Sequence, residues 1–255
     1  ISIANARKYK IILEQNDQIQ HYSKELQISN RTKDMFFSII AHDLRSPFSA
    51  MLGLSELLVK DVSDNNFDKL DRYSKVIHNL LQDTFNLLSN LLSWSQTQSN
   101  KIEFKPKKLP LIKTVIEINN LISHQAEAKN ISIVINIPED QIIYSDENML
   151  KTILRNLISN AIKFSNKNGK VILSSRKADD FIELSIKDEG IGMSEGVIKK
   201  LFIDELISSE TGTSGEKGTG LGLILCKEFV ELHKGEIIVE SKETIGSTFK
   251  VLFPV

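Results

Sequence analysis

The sequence has almost no cysteine, almost no net charge and no long hydrophobic run, and each of these absences excludes a class of protein. Its 255 residues include a single cysteine, Cys226, so an intrachain disulfide is impossible, as is typical of a reducing compartment. The 32 basic residues are balanced by 33 acidic ones, which excludes the strong basic excess of a generic nucleic-acid-binding protein. No apolar stretch approaches the ~20 residues of a membrane-spanning helix. Because the chain begins at Ile1 rather than Met, we expect it to be part of a longer protein.

Glycine and proline are scarce in the first 100 residues, which contain only Gly53 and Pro47. The other eleven of the twelve glycines follow later in the chain. The first part is therefore predicted to be helical and the second part to be mixed. Residues 105–110 between them include two prolines, which disfavour continuation of a helix, and are predicted to form the linker.

Two stripes of mainly apolar residues run through the first part at alternating spacings of three and four. Such spacing is typical of a heptad seam on a helix. The polar stretch 61–66 separates the stripes, which predicts an antiparallel helical hairpin. The first stripe consists of Phe37, Ile40, Leu44, Pro47, Met51, Leu54 and Leu58, and the second of Leu70, Tyr73, Ile77, Leu80, Thr84, Leu87, Leu91 and Trp94.

The second stripe is wider than a two-helix hairpin can cover, because Leu81, Phe85, Leu88 and Leu92 extend it to one side. The predicted solution is a homodimer in which two hairpins form a four-helix bundle. Before residue 30 a weaker seam keeps the same seven-residue phase, which predicts a helix that runs into the bundle.

The second part alternates between helical and strand patterns. Helices are predicted at residues 111–128, 147–164 and 221–232, and strands at 131–137, 171–175, 181–187, 236–240 and 247–252. Helices combined with a largely antiparallel sheet predict a two-layer α/β sandwich.

A histidine in the first predicted helix is a candidate for chemistry. At about 100° per residue, His42 lies almost opposite the first apolar stripe, and Arg45, Ser46 and Ser49 share its face. We therefore expect its imidazole to be exposed to solvent on a rigid helix. Taken alone, such a histidine is more often an ordinary surface residue than a functional one.

The predicted helix 147–164 has a polar face that suits a phosphate or a metal ion. Asn156 and Asn160 are four residues apart and Lys163 follows three later, so the three side chains share one face. An amide oxygen is a suitable ligand for Mg²⁺, and a lysine suits phosphate. A plain solvated face is the alternative explanation for this segment by itself.

Two glycine-containing segments follow. Asp188, Gly190 and Gly192 come directly after a predicted strand, where glycines permit close approach of a flat ligand and a carboxylate accepts from an exocyclic amine. Further on, Gly218, Gly220 and Gly222 open a helix, where free backbone N–H groups favour phosphates. The preceding residues 208–217 have the composition of a mobile lid.

In this order, the segments resemble the catalytic core of a bacterial sensor histidine kinase. The resemblance covers residues 30–255 and includes an H box at His42, an N box at 156–164, a G1 box at 188–192, an F-box-like Leu201-Phe202 and a G2 box at 218–223. It implies a dimerisation and histidine-phosphotransfer domain at 31–104, after a helical linker at 1–30. An ATP-binding domain of the Bergerat type would then occupy 105–255.

The resemblance also implies roles for individual residues. His42 would be the phosphoacceptor that attacks the γ-phosphate of ATP, with Asp43 as its base or orienting partner and Ser46 placing a water for phosphatase activity. Asn160 would bind Mg²⁺, Asp188 would recognise adenine, and the other positions would shape the nucleotide site. These other positions are Asn156, Lys163, Gly190, Gly192, Phe202, Lys217, Gly218, Gly220, Leu221 and Gly222.

The sequence departs from the family pattern at several positions. A second phenylalanine is missing after Phe202, and Ser46 replaces the usual threonine or asparagine. No arginine follows in the lid, so a contact with the γ-phosphate must come from Lys217 or from elsewhere. The expected partners are a second copy, the receiver domain of a response regulator and an upstream sensor outside this chain, with no nucleic acid. We expect a cytoplasmic portion, and an upstream membrane anchor in the full-length protein stays an open alternative.

Two other functions remain open at this point. One is a clamp ATPase of the gyrase, chaperone or mismatch-repair kind, and the other is a scaffold without catalysis. The exposed His42 on a hairpin argues against the first, and the intact Asn160, Asp188 and glycines argue against the second.

Overall fold

The computed structural model describes residues 12–13, 15–16, 18–20, 22–23, 44–64, 66–98, 103–202, 211–216 and 221–255. The chain divides into two compact units, Ile1–Phe85 and Asn86–Val255. All described residues between 12 and 23 are helical. The expected domain boundaries near residues 30 and 104 stay predictions. Within the described residues, no helix has the length and apolar character to cross a membrane.

Helices include most of the described residues of the first part, as the heptad spacing predicts. Helix α1 occupies residues 44–63 and α2 occupies Leu70–Gln98. The predicted seams are the less exposed faces of both helices: Met51, Thr84 and Leu87 are only 8%, 7% and 3% exposed. The side chain of Ser63 donates to the carbonyls of Val59 and Lys60 and so helps to close the last turn of α1.

The second part contains two sheets. Antiparallel strands β1 (Lys107–Pro110) and β3 (Ile142–Ser145) form a pair, and the other strands form a five-stranded sheet in the order β2-β4-β5-β7-β6. In this sheet β2 and β4 are parallel and all other neighbours are antiparallel. The bounds are Ser132–Asn136 for β2, Lys170–Ala178 for β4, Phe181–Asp188 for β5, Glu236–Lys242 for β6 and Gly246–Pro254 for β7.

Helices cover one face of this sheet. They are α3 (Leu111–Ala128), α4 (Glu147–Phe164), the short α5 (Glu195–Lys200) and α6 (Leu221–Leu232). Helix α4 is central, since it packs against α3, α6 and strand β5. Its apolar stripe is fully buried and meets the sheet core, and Cys226 of α6 is buried as well. The predicted architecture, a helical region followed by a two-layer α/β domain, is confirmed.

The prediction of a linker at residues 105–110 is wrong for its last four residues. Residues Lys107–Pro110 form β1, in which Leu109 pairs with Ile143, and both of these side chains are buried. The two prolines are compatible with this strand because Pro106 precedes it and Pro110 ends it, next to the start of α3. Strand β3 and helix α5 were not predicted.

Candidate functional site

Asp188, the last residue of β5, is the most unusual polar group of the sheet domain. Its side chain is buried, with only 3% of the residue exposed. Its Oδ1 accepts hydrogen bonds from the backbone N–H groups of Gly190 at 2.9 Å and Ser247 at 3.2 Å. Burial raises the pKa of the Asp188 carboxyl, while these two hydrogen bonds act in the opposite direction. Both bonds use Oδ1, so Oδ2 is left for a donor on a ligand.

The turn after Asp188 requires its glycines. A Cβ at Gly190 would overlap the carbonyl oxygen of Phe164. A Cβ at Gly192, whose φ is +65°, would overlap the carbonyl oxygen of Lys242. Backbone bonds hold the turn on both sides, because Ile191 N donates to Phe164 O and its own carbonyl accepts from Thr244 N. The turn therefore lies between the end of α4 and the β6–β7 hairpin, and only glycine fits at positions 190 and 192.

Two further residues complete this turn and were missed by the sequence analysis. Gly246 has φ +125°, and a Cβ there would overlap the carbonyl oxygen of Asp188, whereas Ser247 supplies the second N–H for the carboxylate. They lie about 60 residues beyond Asp188, since the bond from Ser247 N spans 59 positions. The sequence could have indicated this turn through Gly246, because glycine readily adopts such a positive φ.

Helix α4 presents the predicted polar face. Asp146 caps its first turn by accepting from the N–H groups of Asn148 and Met149, at 3.0 and 3.2 Å. The buried stripe from Leu150 to Ile162 then leaves the half-buried Asn156, Asn160 and Lys163 on another face. The ammonium of Lys163 lies 4.6 Å from the ring centroid of Phe164.

The residues on α4 fit a magnesium ion that is carried by phosphates. Among the described residues, no cluster of three His, Cys, Asp or Glu side chains could hold a metal ion. Mg²⁺ usually keeps several waters and takes one or two protein oxygens together with substrate phosphates. A single amide oxygen, that of Asn160, matches this donor set.

The structure brings Asn156 and Gly222 together. A Cβ at Gly222 would lie 2.9 Å from Oδ1 of Asn156, so the start of α6 packs closely on α4 at this glycine. This contact gives Gly222 a packing role in addition to the predicted phosphate role. Leu221 supplies the first residue of α6.

The remaining predicted residues have separate positions. Phe202 follows α5 and is half-buried, and its carbonyl accepts from Lys227 of α6 at 3.4 Å. Ser46 is exposed on α1, in the other unit of the chain. His42, Asp43, Lys217, Gly218 and Gly220 lie outside the described residues.

Six residues of the expected lid, 211–216, are described, and they contact the end of α4. The backbone N–H of Thr213 donates to Lys163 O at 3.1 Å, and its hydroxyl donates to Ser165 O at 2.6 Å. Gly212 N donates to Glu216 O at 2.8 Å and closes the segment into a turn.

Two family models match this chain. Residues 32–100 match the His Kinase A (phospho-acceptor) domain, and residues 145–255 match the histidine kinase-, DNA gyrase B- and HSP90-like ATPase. The chain is 29% identical over 95% of its length to the circadian input-output histidine kinase CikA of Synechococcus elongatus, of which it covers 33%. It is also 29% identical over 91% of its length to the autoinducer 2 sensor kinase/phosphatase LuxQ of Vibrio vulnificus, of which it covers 28%.

The fold is similar to that of solved structures as well. A crystal structure of the histidine kinase ThkA in complex with the response regulator TrrA aligns over 84% of this chain and 59% of that one, with a TM-score of 0.61 and 22% identity. The chain spans about a third of the length of the curated relatives above.

Proposed function

Because this chain belongs to the sensor histidine kinases, whose catalytic core it contains, we propose that it uses ATP to phosphorylate its own His42. The phosphoryl group then passes to an aspartate on the receiver domain of a response regulator. The observation that carries the proposal is the buried Asp188, whose Oδ1 is occupied by two backbone donors in a turn built from obligatory glycines. This arrangement supports recognition of one planar ligand with a single amine donor.

Asp188 recognises the adenine base in this proposal. Its Oδ2 accepts from the exocyclic amine, while Gly190 and Gly192 allow the base to approach the backbone. Asn156, Asn160 and Lys163 face the phosphates, together with Lys217, Gly218, Gly220 and the start of α6. Asn160 would hold Mg²⁺ through its amide oxygen, and the ion would supply positive charge beside the phosphates.

The transfer step itself requires little more than positioning. A ring nitrogen of His42 attacks the γ-phosphorus, so an N–P bond forms as the bond between that phosphorus and the β–γ bridging oxygen breaks. ADP leaves with the bond electrons, and Asp43 accepts the proton from the imidazole. Lys163 and Lys217 stabilise the charge that develops on the phosphoryl oxygens.

We also propose a homodimer. Leu81, Phe85, Leu88 and Leu92 are 51%, 69%, 43% and 55% exposed in one chain, so a continuous apolar face of α2 remains uncovered. A contiguous apolar face of this kind marks an interaction surface, and a second hairpin that completes a four-helix bundle covers it.

A response regulator is the proposed phosphoryl acceptor, and the kinase–regulator complex named above supports this partner class. Ser46 is exposed on α1 and four residues from His42, which supports a role in placing the water that hydrolyses the regulator's phospho-aspartate. The name of LuxQ as a kinase/phosphatase supports the same second activity. A sensor upstream of this segment controls both reactions, and this segment works in the cytoplasm.

Labelling with ATP that carries radioactive γ-phosphate tests the proposal. A phosphohistidine is stable in base and is lost in acid, whereas a clamp ATPase retains no label. His42→Gln is expected to bind ATP like the parent and to retain no label. A label that persists in His42→Gln and maps to another residue, such as His78, would show that the phosphoacceptor is assigned wrongly.

A further inference from the structure

A buried lysine connects three separate parts of the sheet domain. Lys129 directly follows α3 and is only 5% exposed. Its Nζ donates to the carbonyls of Ile162 and Lys163, both at 2.9 Å. The same Nζ donates to Thr213 Oγ1 at 2.7 Å and Glu216 Oε1 at 3.0 Å. Since an ammonium has three hydrogens for these four oxygens, one hydrogen is shared.

The partners of Lys129 explain why its charge is tolerated in a buried position. The carbonyls of Ile162 and Lys163 belong to the last turn of α4, where backbone acceptors lack partners within the helix and the helix dipole is negative. Glu216 supplies the opposite charge, in an ion pair with Lys129 whose side chains are 6% and 36% exposed. Burial of an ammonium is costly unless such acceptors surround it, so the site is built for this cation.

Glu216 transmits this contact to the segment 211–216. Its Oε2 accepts from Ser214 N at 2.8 Å, and its backbone carbonyl accepts from Gly212 N at 2.8 Å. Gly212 lies so close to Lys163 that a Cβ on it would be 2.5 Å from Lys163 Cγ. The turn 212–216 therefore packs against Lys163, the residue that we assign to the phosphates.

We propose that Lys129 and Glu216 are positioning residues for the phosphate end of the nucleotide site. The pair holds the turn 212–216 against Lys163 and fixes where the Lys163 side chain leaves α4. Neither residue touches the adenine turn at Asp188 through any contact described above. The inference rests on the proposed ATP site and adds to it a determinant of phosphate affinity.

The test compares ATP with adenosine, because only ATP reaches the phosphate end. Lys129→Met and Glu216→Gln are expected to weaken ATP affinity about tenfold, a loss of ~1.4 kcal/mol, and to leave adenosine affinity unchanged in calorimetric titrations. Amide hydrogen exchange of residues 212–214 is expected to accelerate in both variants. Lys151→Met is the matched control, because it removes another lysine that pairs with Glu117 and Glu147 in the same domain, and it should change neither affinity.

Several outcomes overturn the proposal. Unchanged ATP affinity in Glu216→Gln and Lys129→Met would do so, and so would an equal loss of ATP and adenosine affinity in Glu216→Gln. If Lys129→Met does not fold, Glu216→Gln decides alone, since Glu216 is partly exposed. Asp188→Asn separates the proposed adenine site from the proposed role of Lys129 and Glu216. Unchanged adenosine affinity in Asp188→Asn refutes the adenine site. The role of Lys129 and Glu216 is still decided by the loss of ATP affinity and by the amide exchange.

Discussion

At the residue scale, the proposed adenine site depends on one buried carboxylate whose two oxygens have different tasks. Backbone donors from Gly190 and Ser247 occupy Oδ1 of Asp188, which fixes the orientation of the side chain. Burial raises the pKa of the Asp188 carboxyl, and the two backbone donors act in the opposite direction because they favour the charged acceptor. A ligand amine at Oδ2 adds a third donor and favours the charged form further.

Asp188→Asn is therefore expected to lose nucleotide affinity while it keeps its fold. The amide oxygen replaces Oδ1 and retains both backbone hydrogen bonds, whereas the NH₂ group faces the adenine amine as a second donor. Loss of one charge-assisted hydrogen bond predicts a decrease of about ten- to a hundredfold in affinity. Titration with adenosine and thermal unfolding of the apo protein check the two parts, and parent-like affinity would remove Asp188 from the site.

The proposed role of Ser46 can be tested by separating phosphatase activity from autophosphorylation. A serine hydroxyl donates and accepts as threonine does, but it lacks the methyl group that restricts χ1, so it holds a water less firmly. Ser46→Ala is expected to slow decay of the phosphorylated regulator about tenfold or more, since a positioned water is lost. Autophosphorylation should stay near the parent rate, and Ser46→Thr should retain or raise the phosphatase rate. Equal decay with the alanine variant and the parent would leave Ser46 as an ordinary surface serine.

At the element scale, the long helices could be predicted from the sequence and the short elements could not. Helices α3, α4 and α6 begin and end at the predicted residues, because a 3.6-residue period is clear over 12 residues or more. Strands β1 and β3 have four residues each and α5 has six, which is too short for a period to emerge. Pro110 looked like part of a linker because nothing local signals that Leu109 pairs with Ile143.

For the candidate site as well, features that are local in the sequence could be predicted and distant contacts could not. Motif residues such as Asp188, Gly190 and Asn160 belong to local patterns, whereas Ser247 and Lys129 act through contacts with residues 59 and 87 positions away. Only the folded chain brings such pairs together. The sequence therefore predicted the groups that we propose to meet the ligand, and it missed the groups that hold them in place.

His233 directly follows α6, bonds to the N-cap residue of α4, and provides a pH-dependent test of this contact. Its Nε2 accepts from Asp146 N at 3.0 Å, and Nδ1 lies 2.6 Å from Phe229 O, so the neutral form with hydrogen on Nδ1 satisfies both contacts. Burial lowers the pKa of His233 below its ordinary value of 6.5. His233 thus binds a proton less readily in the folded protein than in the unfolded chain. Its contribution to stability is fully present above about pH 6.5 and decreases as the pH falls below this value.

His233→Gln is expected to flatten this part of the stability profile. Glutamine carries no titratable group, so the contribution of residue 233 to the pH dependence disappears even if the variant is less stable overall. Chemical denaturation of the full chain between pH 7 and about 5, with the unfolding of residues 103–255 as the signal, measures how steeply stability changes with pH. Identical slopes for the parent and His233→Gln would contradict the assignment.

At the scale of the whole molecule, the helical part and the sheet part bury their apolar residues differently. The sheet domain is complete in one chain, with side chains such as Leu154, Leu184 and Phe253 at 0% exposure. Helices α1 and α2 bury few side chains within one chain, and Met51 and Leu87 are the apolar examples among their described residues. The proposed homodimer therefore predicts that the stability of the helical part depends on protein concentration, as it does for obligate dimers.

A charged substitution on the exposed face tests this dependence without damage to the fold of one chain. Leu81→Glu with Leu88→Glu places two carboxylates on side chains that are 51% and 43% exposed, so the loss falls on the dimer rather than on the hairpin core. Light scattering is expected to show monomers that retain adenosine binding, because Asp188 belongs to the sheet domain. Leu87→Glu is the informative contrast: Leu87 is only 3% exposed within the chain, so this variant should unfold the helical part itself. A dimer of parent-like affinity after the double substitution would show that this face of α2 is not the interface.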